Sequence, residues 1–167
     1  MESPAKLRGE RAFLHMLFFF LKWIHILAAI VALGANITYG IWLARSSRAP
    51  EHLLFTLHTI KFLDDRMANP AYVVSLLTGL AMIYVSGYTF TTPWLMLSLA
   101  LYALLVILGI FGYSPTLAQQ IQLAETTGPE TAEYQAMARR GRMLGMVLGI
   151  ITVGIVFLMV VKPPLWG

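Results

Sequence analysis

Hydrophobic and polar positions divide the chain into four long apolar runs separated by short polar turns. The first run is Leu21 to Leu43. From Trp23 to Ala44 it carries no charge, and His25 is its only ionisable side chain apart from the Tyr39 phenol. A helix rises about 1.5 Å per residue, so this run crosses a hydrocarbon core of roughly 30 Å. Its polar residues fall on one side. At about 100° per residue, His25, Ala29, Ala32, Asn36 and Tyr39 lie within about 40° of a single line. Lipid penalises an exposed imidazole or carboxamide, so this small, polar seam is expected to face protein or a ligand.

Beyond the polar turn at 44–50, Glu51 to Met67 reads as an amphipathic helix. Leu53, Leu54, Leu57, Ile60 and Leu63 alternate with His52, Thr56, Thr59, Asp64 and Arg66. Lys61 and Asp65 form an i,i+4 pair on it. Asn69-Pro70 predicts a break or kink, because a residue before proline is pushed away from helical geometry. From Met67 to Ala124 there is no charge at all, too long a stretch for one span. The turn formers of 86–93 divide it. Ser114-Pro115 reads either as a helix start or as a kink in a continuing helix, and Thr116 to Glu125 leaves the bilayer as a Gln-rich helix. Glu130 and Glu133 suit the positive end of the next helix. Arg139, Arg140 and Arg142 mark the membrane boundary before an uncharged run from Met143 to Val161. The expected fold is all-α and integral to the membrane, an antiparallel bundle of four transmembrane helices in one domain, 1–167. The spans are about 17–43, 70–88, 93–113 and 143–161, with the amphipathic helix before the second and helical extensions between the third and fourth.

Composition sharpens this picture. The chain is 58% hydrophobic and 12% charged, against about 25% charged in soluble domains. It has no cysteine, which excludes disulfides, iron–sulfur clusters and thiolate zinc sites. The net charge of +4 fits anchoring and orientation rather than nucleic acid. The N-terminus does not read as a secretory signal, because the apolar run is too long and no small-residue cleavage site ends it early. Most Lys and Arg fall in the 44–69 and 114–142 loops, which favours cytoplasmic loops with external termini. Gly141, Gly145 and Gly149 repeat at four-residue spacing, a close-packing stripe or a bare backbone for a ligand to press against.

Three segments carry a resemblance. Lys22-Trp-Ile-His25-Ile with Gly34 beyond it resembles the first span of HemJ-type protoporphyrinogen oxidases and of CopD-like membrane domains. Leu63-Asp-Asp-Arg66 with Pro70-Ala71 and Thr78-Gly79-Leu80 resembles the second, and Val160-Val-Lys162-Pro163 the closing Lys-Pro. The run Asp65-Arg66-x-x-Asn69-Pro70 and the terminal Leu158-Met-Val-Val-Lys-Pro163 also look like a bacterial four-helix group, domain of unknown function 2269. The resemblance covers about residues 20–163 and implies a bacterial cytoplasmic membrane. It further implies that His25 ligates a b-type haem. In HemJ the third span carries a Trp-Leu-His-Val-Lys pattern important for haem and activity. Here the matching stretch is Trp94-Leu95-Met96-Leu97-Ser98, with Met96 and Ser98 in place of the His and Lys, so enzyme activity is left open.

Haem iron takes His, Met, Cys or Tyr ligands. His25 is the first candidate. A second ligand is sought in His58, beside Phe55 and Phe62, or in Met96. The other reading of His25 is a buried histidine bonded to Asn36 of a neighbour, a carbonyl or a water. Lys22 either snorkels to the headgroups or binds an anionic group beside His25. The nine methionines raise copper, since thioethers and imidazoles bind Cu(I), although Met143 and Met146 suit ordinary packing. Asp64, Asp65, Arg66 and Asn69 cluster near the membrane boundary, to gate protons, to bind a substrate or simply to set helix depth. Three functions follow: a redox-associated b-haem protein, a non-catalytic structural or accessory subunit of a larger membrane complex or homo-oligomer, and a small transporter or carrier of metal or a hydrophobic molecule.

Overall fold

The computed structural model describes residues 4–165, and among these every regular element is helical. Helix α1 (Pro4–Ser46) has 43 residues and rises about 65 Å, twice the hydrocarbon thickness. Residues 8–16 are exposed, and the helix enters the bundle near Leu21. A short 3-10 turn, Pro50–His52, leads into α2 (Leu53–Leu63). A single π turn, Asp64–Ala68, then joins α2 to α3 (Asn69–Ser86). Beyond a loop turned by Gly87 (φ +72°), α4 (Pro93–Ile107) runs through a second π turn, Leu108–Tyr113, into α5 (Ser114–Thr126). Helix α6 (Ala132–Val161) completes the chain. Four continuous helical units are thus long and apolar enough to cross a membrane.

Of the break or kink expected at Asn69-Pro70, the break does not occur. Asn69 is helical (φ −61°, ψ −47°), and its N–H bonds to the carbonyl of Asp64 five residues back. Proline lacks an N–H and its ring crowds the carbonyls of the preceding turn. The wide turn just before Pro70 relieves that crowding, and the helix passes through. Ser114-Pro115 repeats the solution: Ser114 is helical, with its N–H bonded to the carbonyl of Gly109. Both prolines that sit inside long helices therefore follow a π turn, a feature often found at functional sites.

Helix α1 packs mainly along α3, and α6 along α4 and α5, with a further contact between α1 and α6. The α1–α3 contact is made by small side chains: Ala28 and Ala32 meet a face of Ala71, Ser75 and Thr78, all buried. Small residues let the backbones approach, which is how helices associate where lipid leaves no hydrophobic driving force. Large apolar side chains such as Trp23, Ile30, Leu77, Ile150 and Phe157 point outward, as a lipid-facing surface requires.

The two ends of the bundle differ. At one end Lys162, in the left-handed region (φ 49°), closes α6 and sets its ammonium over the Tyr88 and Trp94 rings, 5.5 and 5.2 Å from their centroids. At the other, the C-terminal turns of α1 gather with α2, α5 and the start of α6 around Leu57, Ile60, Leu117 and Tyr134. The exterior there is charged: the expected Lys61–Asp65 pair forms at 2.5 Å, and His58 pairs with Glu125 across α2 and α5 at 2.9 Å. Helix α6 starts on the Thr131 side chain, which accepts from the Tyr134 N–H. Thr131→Ala removes this cap and is expected to cost about 1 kcal/mol, read as a melting shift of about 3 °C in detergent.

Candidate functional site

The polar seam of α1 faces α3. Nδ1 of His25 lies 2.8 Å from the Ser75 carbonyl oxygen and 3.2 Å from the Thr78 hydroxyl. A carbonyl oxygen only accepts, so Nδ1 carries the proton. The Thr78 hydroxyl spends its own proton on the Val74 carbonyl and is likewise free to accept from Nδ1. The neutral imidazole is therefore the Nδ1–H tautomer, and Nε2 keeps its lone pair. Gly79 makes this geometry possible: a Cβ there would stand 3.2 Å from Cε1 of the ring. His25 thus has a carbonyl partner, not Asn36.

Asn36 serves a second polar centre. Its amide donates to the Ala32 carbonyl and to the Tyr72 hydroxyl, the latter at 2.5 Å. The Tyr72 carbonyl also accepts from the Tyr102 hydroxyl of α4 at 2.6 Å. One residue of α3 thereby ties two other helices, α1 and α4. Toward the charged end this centre continues to Asp64, whose carboxylate is buried and accepts one long bond, 3.4 Å, from the Asn69 amide. Tyr39 and Tyr113 lie in one buried cluster, with Tyr72 packed against it. Each π turn supplies one member of the group, Asp64 from the first and Tyr113 from the second. The Tyr39 hydroxyl is buried without a hydrogen-bond partner among the described residues.

The remaining candidates do not join His25. The His25 ring sits at Ser75, and His58 lies on the same continuous α2–α3 unit, about 25 Å away at 1.5 Å per residue. His58 is engaged by Glu125 on the outer surface instead. Met96 is 47% exposed and points away from the core. Ser98, beside it, is buried and donates to the Trp94 carbonyl. Lys22 is exposed one turn before His25. Met143 and Met146 face outward. Among the described residues no three His, Asp or Glu side chains come together as a metal site.

The seam was legible from periodicity. Tyr72, Tyr102 and Tyr113 were not, because a tyrosine in an apolar span carries no sequence mark that separates an interior hub from an interfacial anchor. The signal available was the pair of prolines preceded by polar or glycine-containing turns, which coincide with the two π turns.

No curated protein sequence and no solved structure matches the chain at a significant level. A family profile described as a predicted integral membrane protein, DUF2269, matches residues 19–163. A multi-pass helical chain with its polar groups turned inward agrees with that description, and the protein belongs to the DUF2269 family of integral membrane proteins.

Proposed function

We propose that the protein is a redox-associated membrane protein that binds b-type haem through Nε2 of His25. The observation that carries this reading is the Nδ1 bond to the Ser75 carbonyl. Metal-ligating histidines almost always donate their other ring N–H to a carbonyl or carboxylate, which fixes the tautomer and raises the basicity of the ligating nitrogen. His25 is so arranged, with Thr78 as a second acceptor and Gly79 admitting the ring. The first-span resemblance to HemJ-type proteins supports the same residue. The donor set suits a single protein ligand: His58 is too distant, and Met96 is turned outward. Haem would supply one-electron chemistry; the chain would supply the ligand nitrogen, its orientation, and small residues along α1 and α3 that exclude water. Asp64 and the tyrosines beyond it form a separate group.

The test is the visible spectrum of protein expressed with added haem and purified in mild detergent, oxidised and dithionite-reduced. A Soret band with sharp reduced α and β bands is expected, lost in His25→Ala and retained in His58→Ala and Met96→Ala.

A second reading has its own observation. The His25 ring already finds partners within the chain and clamps α1 to α3, as a packing residue of a structural or accessory subunit would. A flat spectrum together with a lowered melting temperature for His25→Ala would select it over the first.

A further inference from the structure

At the charged end of the bundle, α1 and α6 diverge around a cleft of about 790 Å³, within the range of sites that hold small ligands. It lies about 20 Å along α1 from His25, taking 1.5 Å per residue to Tyr39. Its rim carries Arg48 and Arg142, with Glu130 the acidic group beside them. Neither arginine forms an ion pair among the described residues. The wall below is α6 backbone at Gly145, where an added Cβ would meet only the Tyr113 ring at 3.8 Å. Tyr39 is one of the lining residues. It is 3% exposed, and among the described residues its hydroxyl is the buried side-chain polar atom left without a partner.

We propose that this cleft binds an anionic phospholipid, its phosphate between Arg48 and Arg142 and its chain along the glycine-lined wall of α6. Each part of the cleft matches one part of such a molecule. The two arginines outnumber Glu130 and present forked donors to phosphate, which guanidinium recognises through paired N–H bonds. Arg142 directly precedes the uncharged run of α6 and Arg48 lies in the polar turn after α1, and basic pockets between spans take up anionic headgroups. The α6 wall at Ala138, Gly141, Gly145 and Met146 gives a methylene chain an apolar surface. The polar Asn36 and Gln120 that also line the cleft are bonded within the chain, Asn36 to Ala32 and Tyr72 and Gln120 to Tyr134. The Tyr39 hydroxyl is a donor in want of an acceptor, and the ester carbonyls just inside a lipid phosphate are acceptors. A buried hydroxyl without a partner carries a desolvation penalty that such a bond removes.

The experiment compares delipidated protein in mild detergent with phosphatidylglycerol, phosphatidylcholine of the same chains, or sodium phosphate. Binding is read by native mass spectrometry and by thermal melting. Phosphatidylglycerol is expected to remain bound and to raise the melting temperature by 5 °C or more, whereas phosphatidylcholine and phosphate leave it unchanged. Arg48→Gln with Arg142→Gln should lower phosphatidylglycerol affinity at least tenfold, and Arg8→Gln with Arg11→Gln should not. Gly145→Leu fills the wall without altering charge and should lower affinity comparably. Tyr39→Phe should melt no lower than the parent without lipid, since it removes an unpaired buried hydroxyl, yet bind phosphatidylglycerol about fivefold more weakly. Equal binding of phosphatidylcholine would overturn the proposal. So would stabilisation by phosphate alone, which would assign the arginines to a free anion, or undiminished affinity in Tyr39→Phe and the arginine pair.

Discussion

Gly79→Leu is expected to lower stability by about 3 kcal/mol, while Gly79→Ala changes it little. A Cβ at this position stands 3.2 Å from Cε1 of His25, tighter than an ordinary contact. The ring cannot simply swing aside, because Nδ1 is held by the Ser75 carbonyl and the Thr78 hydroxyl. Alanine therefore introduces a small strain, offset by the roughly 1 kcal/mol that alanine gains over glycine inside a helix. Leucine adds a branched side chain with nowhere to go, and α1 must move off α3 or His25 must leave its acceptors. Thermal melting in detergent reads the difference, about 6–12 °C for a chain of this size. A leucine variant that melts with the parent would show that α1 and α3 do not approach as closely as the His25 geometry requires.

Tyr72→Leu is expected to destabilise by about 3 kcal/mol, and Tyr72→Phe by about 1 kcal/mol. The two variants separate the ring from the hydroxyl. Phenylalanine keeps the volume and loses the bond from Asn36. Its partner is not then stranded, because Asn36 still donates to the Ala32 carbonyl. The cost of phenylalanine thus falls near the modest value of single hydrogen bonds within membranes, about 0.6 kcal/mol on average and at most about 1.7. Leucine removes the ring as well, leaving a void where α1, α3 and α6 meet. The backbone bond from Tyr102 survives both changes, since its acceptor is the Tyr72 carbonyl. A double-mutant cycle of Tyr72→Phe with Asn36→Ala should return a coupling of about 0.6 kcal/mol. Additive losses would mean that the Asn36–Tyr72 bond contributes nothing to holding α1 on α3.

Much of this architecture can be read from residues alone, for a physical reason. Lipid forces the unpaired polar side chains of a span onto its protein-facing side, so Ala32, Asn36 and Tyr39 mark the buried face of α1 before any partner is known. The i,i+4 pair of Lys61 and Asp65 is equally local. What escapes is whatever depends on a neighbour or on helix continuity. Pro70 reads as a break or kink because local sterics alone favour one, and the π turn at Asp64–Ala68 carries the helix through without a break. The same continuity carries His58 far from His25, which composition and aromatic flanks cannot reveal. Gly79 is marked only by family resemblance; its role emerges once an imidazole is found against its backbone. The Tyr39 hydroxyl sits on the predicted seam, but its lack of a partner is a property of four packed helices and not of any one.

The α2–α3 and α4–α5 units each rise about 50 Å, some 20 Å more than the hydrocarbon they cross. The surplus lies at the charged end, around Leu57, Ile60, Leu117 and Tyr134. The molecule is consequently two materials along one set of helices. Its lipid-solvated length is held by close backbone approach and inward hydrogen bonds, on which urea has little purchase. Its projecting length is a miniature water-solvated bundle with an oily centre, the kind of structure whose stability falls linearly with denaturant. Urea should therefore loosen the projecting turns of α2 and α5 while the lipid-solvated spans remain helical, so that a single chain gives a partial unfolding transition with a slope set by its smaller part.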